Sequence, residues 1–102
     1  MPMLHTVNKS PYERKALERC LEFAEDGAAV LLIEDGVYAA DSAGAAAGPL
    51  GEAMGRLKIY ALGPDLAARG LTDDRLLKGI TVVDYGGFVD LAAEHSAVHS
   101  WL

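Results

Sequence analysis

The run Ala28-Ala29-Val30-Leu31-Leu32-Ile33 constrains the fold more than any other part of this chain: it is apolar throughout, of strand length, and does not alternate. A strand that offers apolar side chains to both faces must be covered on both, which predicts a central strand of a parallel sheet with helices on either side. Upstream, Met3-Leu4-His5-Thr6-Val7 is a short run of strand formers. Between the two, a helix is expected over 11–25, with Ala16, Leu17, Cys20, Leu21 and Ala24 on one face and Glu18, Arg19, Glu22 and Glu25 elsewhere on the wheel. Ser10, Pro11 and Glu13 read as a capping box opening that helix, and Asp26-Gly27 closes it. Strand, helix and strand together make a βαβ unit, whose crossover is expected to be right-handed.

The same alternation continues. Glu34-Asp35-Gly36 marks the carboxyl end of the apolar strand, and Val37–Ala40 has room for one helical turn. From Asp41 to Gly51 alanine and glycine dominate with no defined face, which reads as a mobile loop leading into a short helix near 50–54. Lys58–Leu62 is a third strand, Gly63-Pro64-Asp65 opens a brief helix closed by Gly70, and a further turn is expected over 72–77. Ile80–Val83 is a fourth strand, and Asp84 caps a last helix carrying Phe88, Val89, Leu91 and Ala92. The tail 96–102 ends in Trp101-Leu102, an aromatic that either closes the core or enters an interface. The expectation is one α/β domain over 1–102, a compact three-layer α/β/α arrangement around a mainly parallel sheet of four or five strands.

Charge and composition narrow the function. With 15 acidic against 9 basic residues and a formal charge of −6, the chain lacks the basic surface that tracks phosphates, so direct nucleic-acid binding is not expected. Met1-Pro2-Met3-Leu4-His5 has neither the basic head nor the apolar stretch of a secretory leader, and no run approaches a membrane span. A cytoplasmic protein is expected. There is no GxGxxG opening a helix, no Walker A sequence and no GxSxG elbow, and the glycines at 44, 48, 51 and 55 lack the strand–turn–helix context of a phosphate cradle. No cofactor is expected.

Chemistry is concentrated in few candidates. Cys20 is the one cysteine. It can carry sulfur as a persulfide or enter a mixed disulfide, or it can fill space on the apolar face of its helix. Its position well past the first turn gives a thiolate little help from the helix terminus. His95 and His99 are four apart, but two histidines without a third ligand make a weak metal site, and no metal is expected. His5 either lies beside a pocket or is a hydrogen-bonded strand histidine. Glu34 and Asp35 sit at a strand end, a position suited to acid/base work and equally to a solvated loop.

Leu4–Pro11, Cys20, Leu31–Ala40, Tyr60–Gly70, Val82–Leu91 and the final Trp101-Leu102 together resemble the DsrH/TusB family over nearly the whole chain. The resemblance reads as nearest to the DsrH branch, the small subunit of DsrEFH complexes in intracellular sulfur oxidation. It implies a cytoplasmic heterohexamer with DsrE-like and DsrF-like subunits, two copies of each. It also implies persulfide transfer to or from a transient DsrC-like carrier with a mobile cysteine. The TusBCD counterparts relay sulfur toward 2-thiolation of the tRNA wobble uridine. By position, Cys20 matches the cysteine characteristic of DsrH-type subunits and is the catalytic candidate. The principal sulfur-accepting cysteine of such complexes, however, lies in a loop of the DsrE/TusD-type subunit. This chain has no loop cysteine, which implies a non-catalytic or accessory subunit. A stand-alone thiol enzyme and a purely structural interaction subunit are the alternatives.

Overall fold

The computed structural model describes residues 2–102, leaving Met1 of the segment read for a leader outside the described residues. Its five strands are β1 (Leu4–Val7), β2 (Ala29–Leu32), β3 (Lys58–Leu62), β4 (Thr81–Val83) and β5 (Val98–Trp101). They form one sheet in the order β4-β3-β2-β1-β5, and every pairing is parallel. The helices are α1 (Ala16–Phe23), α2 (Ala47–Ala53), α3 (Gly63–Ala68) and α4 (Tyr85–Glu94), with 3-10 turns at Glu34–Ala40 and Asp73–Arg75. Among the described residues no helix is long and apolar enough to cross a membrane.

The strand order dictates the layers. From β1 to β4 the chain steps across the sheet in one direction, so right-handed crossovers place α1, α2 and α3 on one face. The step from β4 back to β5 runs the other way and places α4 on the opposite face. The core divides accordingly. Val30 and Leu32 of β2 pack with Leu17, Cys20, Leu21, Leu50 and Leu66, whereas Ala29 and Leu31 pack with Leu4 and with Leu91 of α4. All four β2 residues are buried, as the non-alternating run requires.

Two expectations are corrected. The helix read over 11–25 occupies only Ala16–Phe23, with Lys15 at its N-cap. Ser10 spends its capping groups on a separate turn: its hydroxyl accepts from the Tyr12 amide (3.2 Å) and its carbonyl from the amides of Glu13 and Arg14 (both 3.1 Å). The segment 41–51 is not a loose loop. Asp41 accepts from the Ala43 amide (3.0 Å) and from Arg75 (2.7 Å), pairs with Leu76 in an antiparallel bridge, and is followed by α2, which starts at Ala47. Alanines without an amphipathic face still pack when a carboxylate anchors the entry. The Ala43 amide, and after it the Arg75 guanidinium, hold the Asp41 carboxyl below its ordinary value of 3.8. This anchor therefore persists above that value and is lost as pH falls through the lowered one.

The tail from 96 is also structured, forming β5 against β1 in the register Leu4↔Val98 to Val7↔Trp101. Asp84 caps α4 as expected, its carboxylate accepting from the Gly87 amide at 2.8 Å. Gly36 is fixed by close approach: a Cβ there would stand 2.1 Å from the carbonyl oxygen of Val7. That contact is backbone to backbone and cannot be relieved by a rotamer change. Gly36→Ala is expected to destabilise the fold by at least about 2 kcal/mol, measured as a lowered urea midpoint at unchanged m-value.

Candidate functional site

In open parallel sheets, ligands gather at the carboxyl ends of strands where neighbouring connections leave toward opposite faces. Here that point lies between β3, which leads into α3, and β4, which leads into α4. A crevice opens there, lined by Gly63, Val82, Val83, Asp84 and Gly87. Gly63 and Gly87 let the helix starts approach the strand: a Cβ on Gly87 would stand 2.9 Å from that of Val83. The Asp84 carboxylate is turned to the Gly87 amide. The lining holds no thiol, hydroxyl or imidazole; its one side chain with a reactive group is the Asp84 carboxylate, engaged with the Gly87 amide.

Cys20 is elsewhere. It lies in the middle of α1, fully buried against the sheet in the larger core cluster. Burial pushes its thiol pKa up to about 12. At pH 8 such a thiol is thiolate in roughly one part in 10⁴, against about a quarter for an ordinary cysteine. In this conformation Cys20 offers an attacking reagent neither thiolate nor exposed sulfur surface.

The carboxylates at the end of β2 are engaged in the structure. Glu34 has a left-handed backbone (φ 50°), and its amide donates to the Asp65 carboxylate at 2.7 Å. Asp35 is bound by Arg69, with Nη2 at 2.9 Å and Nε at 3.0 Å from the same oxygen. Arg69 also stands over the Tyr38 ring, 6.0 Å from its centroid. These contacts tie the turn after β2 to α3. They are partly exposed and each is worth no more than about 1 kcal/mol. The order they impose, rather than proton transfer, is their visible work.

The histidines separate. α4 ends at Glu94, so His95 and His99 do not share a helix face; His95 Nδ1 lies 2.6 Å from the Leu91 carbonyl, and His99 is in β5. His5 is buried in β1 and is the hydrogen-bonded strand histidine: the indole Nε1–H of Trp101 donates to its Nδ1 at 3.0 Å. His99 stacks flat on Trp101, with centroids 4.6 Å apart and planes within 5°, and Phe23 meets His5, His99 and Trp101 edge-on. Desolvation first, then the neighbouring His99, lowers the His5 pKa, with Glu25 pulling weakly the other way. Among the described residues no group of three or more His, Cys, Asp or Glu is placed to hold a metal ion.

Sequence reasoning did not find the crevice between β3 and β4, because locating it requires the strand order; the glycines at 63 and 87 and the cap at Asp84 were its only local marks. Nor did it find the indole–imidazole bond, which depends on β5 pairing with β1.

Fold and site together define a class: a small doubly wound α/β domain whose strand-end crevice holds no thiol. A family model described as DsrH like protein matches residues 9–98, and the chain belongs to this DsrH/TusB family. It shares 41% identity with Protein TusB of Shigella flexneri and 35% with Protein TusB of Pectobacterium parmentieri, each over 97% of this chain and the full length of the relative. Among solved structures, the E. coli ychN protein superposes with a TM-score of 0.81 at 14% identity, covering 98% of both chains. A Methanobacterium thermoautotrophicum protein of unknown function, MTH1491, superposes with a TM-score of 0.75 at 20% identity, covering 95% of this chain and 96% of its own. These two likenesses bear on the fold. The family places the chain as an accessory member of a small multi-subunit assembly in persulfide sulfur relay.

The nearer likeness to the DsrH branch is corrected by these relatives, which carry the name TusB. The segments behind that likeness fall mostly in β1, the end of β2, β3, α3, β4 and α4.

Because Cys20 is both buried and protonated, its alkylation by iodoacetamide in the folded protein at pH 8 is expected to run on the order of 10³-fold slower than for a free thiol. The rate should rise to the free value in denaturant. Quantitative labelling read by intact mass, with and without urea, checks this.

Proposed function

We propose that this chain is the non-sulfur-accepting subunit of a TusBCD-type relay, which passes persulfide sulfur between protein cysteines toward 2-thiolation of the tRNA wobble uridine. The observation that carries the proposal is the isolation of its one thiol: Cys20 is buried with a pKa of about 12, and the strand-end crevice holds no thiol. The relatives named TusB favour this branch over intracellular sulfur oxidation. In this reading Cys20 is packing, and the attacking and accepting sulfurs belong to a TusD-type subunit.

The partners are two related α/β subunits, the TusC and TusD types, in a cytoplasmic heterohexamer with two copies of each chain. Exposed apolar side chains support such an assembly. Val82, Tyr85 and Val89 lie open around β4 and α4, and Phe23 and Val98 lie open at the other side of the sheet. A net charge of −6 leaves RNA contact to a later component of the relay. What this subunit supplies is the surface that holds the thiol-bearing partners in register, since persulfide exchange depends on access as much as on thiolate fraction.

The test is reconstitution with the TusC-type and TusD-type partners, loading with a persulfide donor, and peptide mass spectrometry. Cys20→Ala is expected to leave transfer to the downstream carrier within about twofold, while lowering stability by about 1 kcal/mol through lost packing. Sulfur found on Cys20, or transfer abolished in a Cys20→Ala complex that still assembles, would overturn the assignment.

A further inference from the structure

β5 is one of the two edge strands of the sheet. It pairs on one side only, with β1. Its residues alternate between exposed and half-buried, and Val98 keeps 46% of its surface open. Beyond the backbone ladder, several contacts hold β5 and the residues leading into it, among them the Ser96 amide and hydroxyl donating to the Pro2 carbonyl (3.3 and 3.4 Å). The Thr6 hydroxyl bonds that of Ser100 at 3.2 Å, the Leu4 amide donates to the Ala97 carbonyl at 2.9 Å, and Trp101 bonds His5 at 3.0 Å. The last of these ties the far end of β5 to the interior, because His5 is only 1% exposed.

That bond fixes a protonation state. An indole N–H can only donate, so Nδ1 of His5 must present a lone pair, and the ring proton of the neutral imidazole resides on Nε2. A second proton would have to enter at Nδ1, which places two N–H groups face to face in a buried site. We propose that the Trp101–His5 hydrogen bond is an acid-labile latch that holds β5 on the sheet and opens when His5 gains a proton on Nδ1.

The surroundings agree on the direction. From β5, His99 faces His5 with ring centroids 5.7 Å apart and adds like charge when protonated. From α1 comes the uncharged Phe23 ring, and the register partner in β2 is Val30. Glu25, just beyond α1, is the one group that favours the charged form, and desolvation together with His99 outweighs it. His5 is therefore held below its ordinary value of 6.5 while latched and returns toward that value once β5 leaves. The latch is at full strength above 6.5. As pH falls below 6.5, the released form takes up a proton that the latched form refuses, and the balance moves toward release. Release turns β1 into the new sheet edge, takes His99 and Trp101 out of the aromatic cluster and uncovers His5 and Phe23.

The test follows the full-length chain from pH 7.5 to pH 5.0 by Trp101 fluorescence, which is specific because this is the chain's one tryptophan. Amide exchange is read in parallel. The expected result is a red-shifted emission with a midpoint below 6.5, and a loss of about tenfold or more in amide protection over 98–101 while β2 and β3 keep theirs. His5→Asn retains an acceptor near Nδ1 without titrating and is expected to show neither change. The same transition in His5→Asn, protection of β5 persisting at pH 5.0, or simultaneous opening of all strands would each overturn the latch. If His5→Asn does not fold, Trp101→Phe is read by imidazole NMR instead. Without the indole donor the His5 midpoint should rise toward 6.5, and an unchanged midpoint would overturn the proposal.

Discussion

Burial of β2 on both faces is the constraint from which the rest of the molecule follows. Val30 and Leu32 face the layer containing α1 and α2, and Ala29 and Leu31 face the side closed by α4, so neither layer can be omitted without exposing side chains that are now fully covered. At about 1.5–3 kcal/mol for each large aliphatic side chain buried, these few residues rival the net stability of a small domain. Three crossovers in one direction cover the first face. Only a reversal covers the second, and that reversal creates the crevice between β3 and β4. The place where this fold would hold a ligand is thus a by-product of how it hides one strand.

The same layering decides the state of the thiol. Cys20 faces inward on α1, the side that must cover Val30 and Leu32, and its surroundings supply burial without a compensating positive charge. Reactive thiols combine exposure with a neighbouring cation, a helix start or a metal. Cys20 has none of these, being mid-helix and enclosed. The crevice, which is open, contains no sulfur. Reach and reactivity therefore fall on different parts of the chain, and no side-chain rearrangement short of displacing α1 would join them.

Much of the fold was legible because its signals are local. The apolar run at 28–33, the strand at 58–62 and the Asp84 cap each depend on near neighbours and fell where expected. The start of α1 did not, because the Ser10 capping groups serve a turn of their own and the helix begins only at Ala16. The stretch 41–51 looked unstructured because its order comes from Arg75, 34 residues away from Asp41. β5 is not legible locally, since Val98-His99-Ser100-Trp101 has little apolar run of its own and becomes a strand by pairing with β1. For the site, the identity of the one cysteine was plain and its burial was foreshadowed by the helical stripe. The crevice and the indole–imidazole bond depend on strand order, which no local pattern encodes.

The two edges of the sheet are secured to different degrees, and this follows from the chain path. β4 runs directly into α4 through a capped turn whose carboxylate bonds the helix start. The first helix of the opposite layer, α1, projects Phe23 over β5 but leaves that ring 60% exposed, so the cover is partial. An edge strand without lysine, proline or a bulge is open to pairing, and proteins ordinarily guard such edges with charge or with cover. Here the guard is the aromatic cluster, whose internal geometry depends on one neutral imidazole. A proton added to His5 would place charge in a desolvated site and oppose the Trp101 indole N–H. The edge opposite β4 is therefore the part of the fold whose integrity is most closely tied to protonation, whereas the β2-centred core, made of aliphatic contacts, has no such dependence.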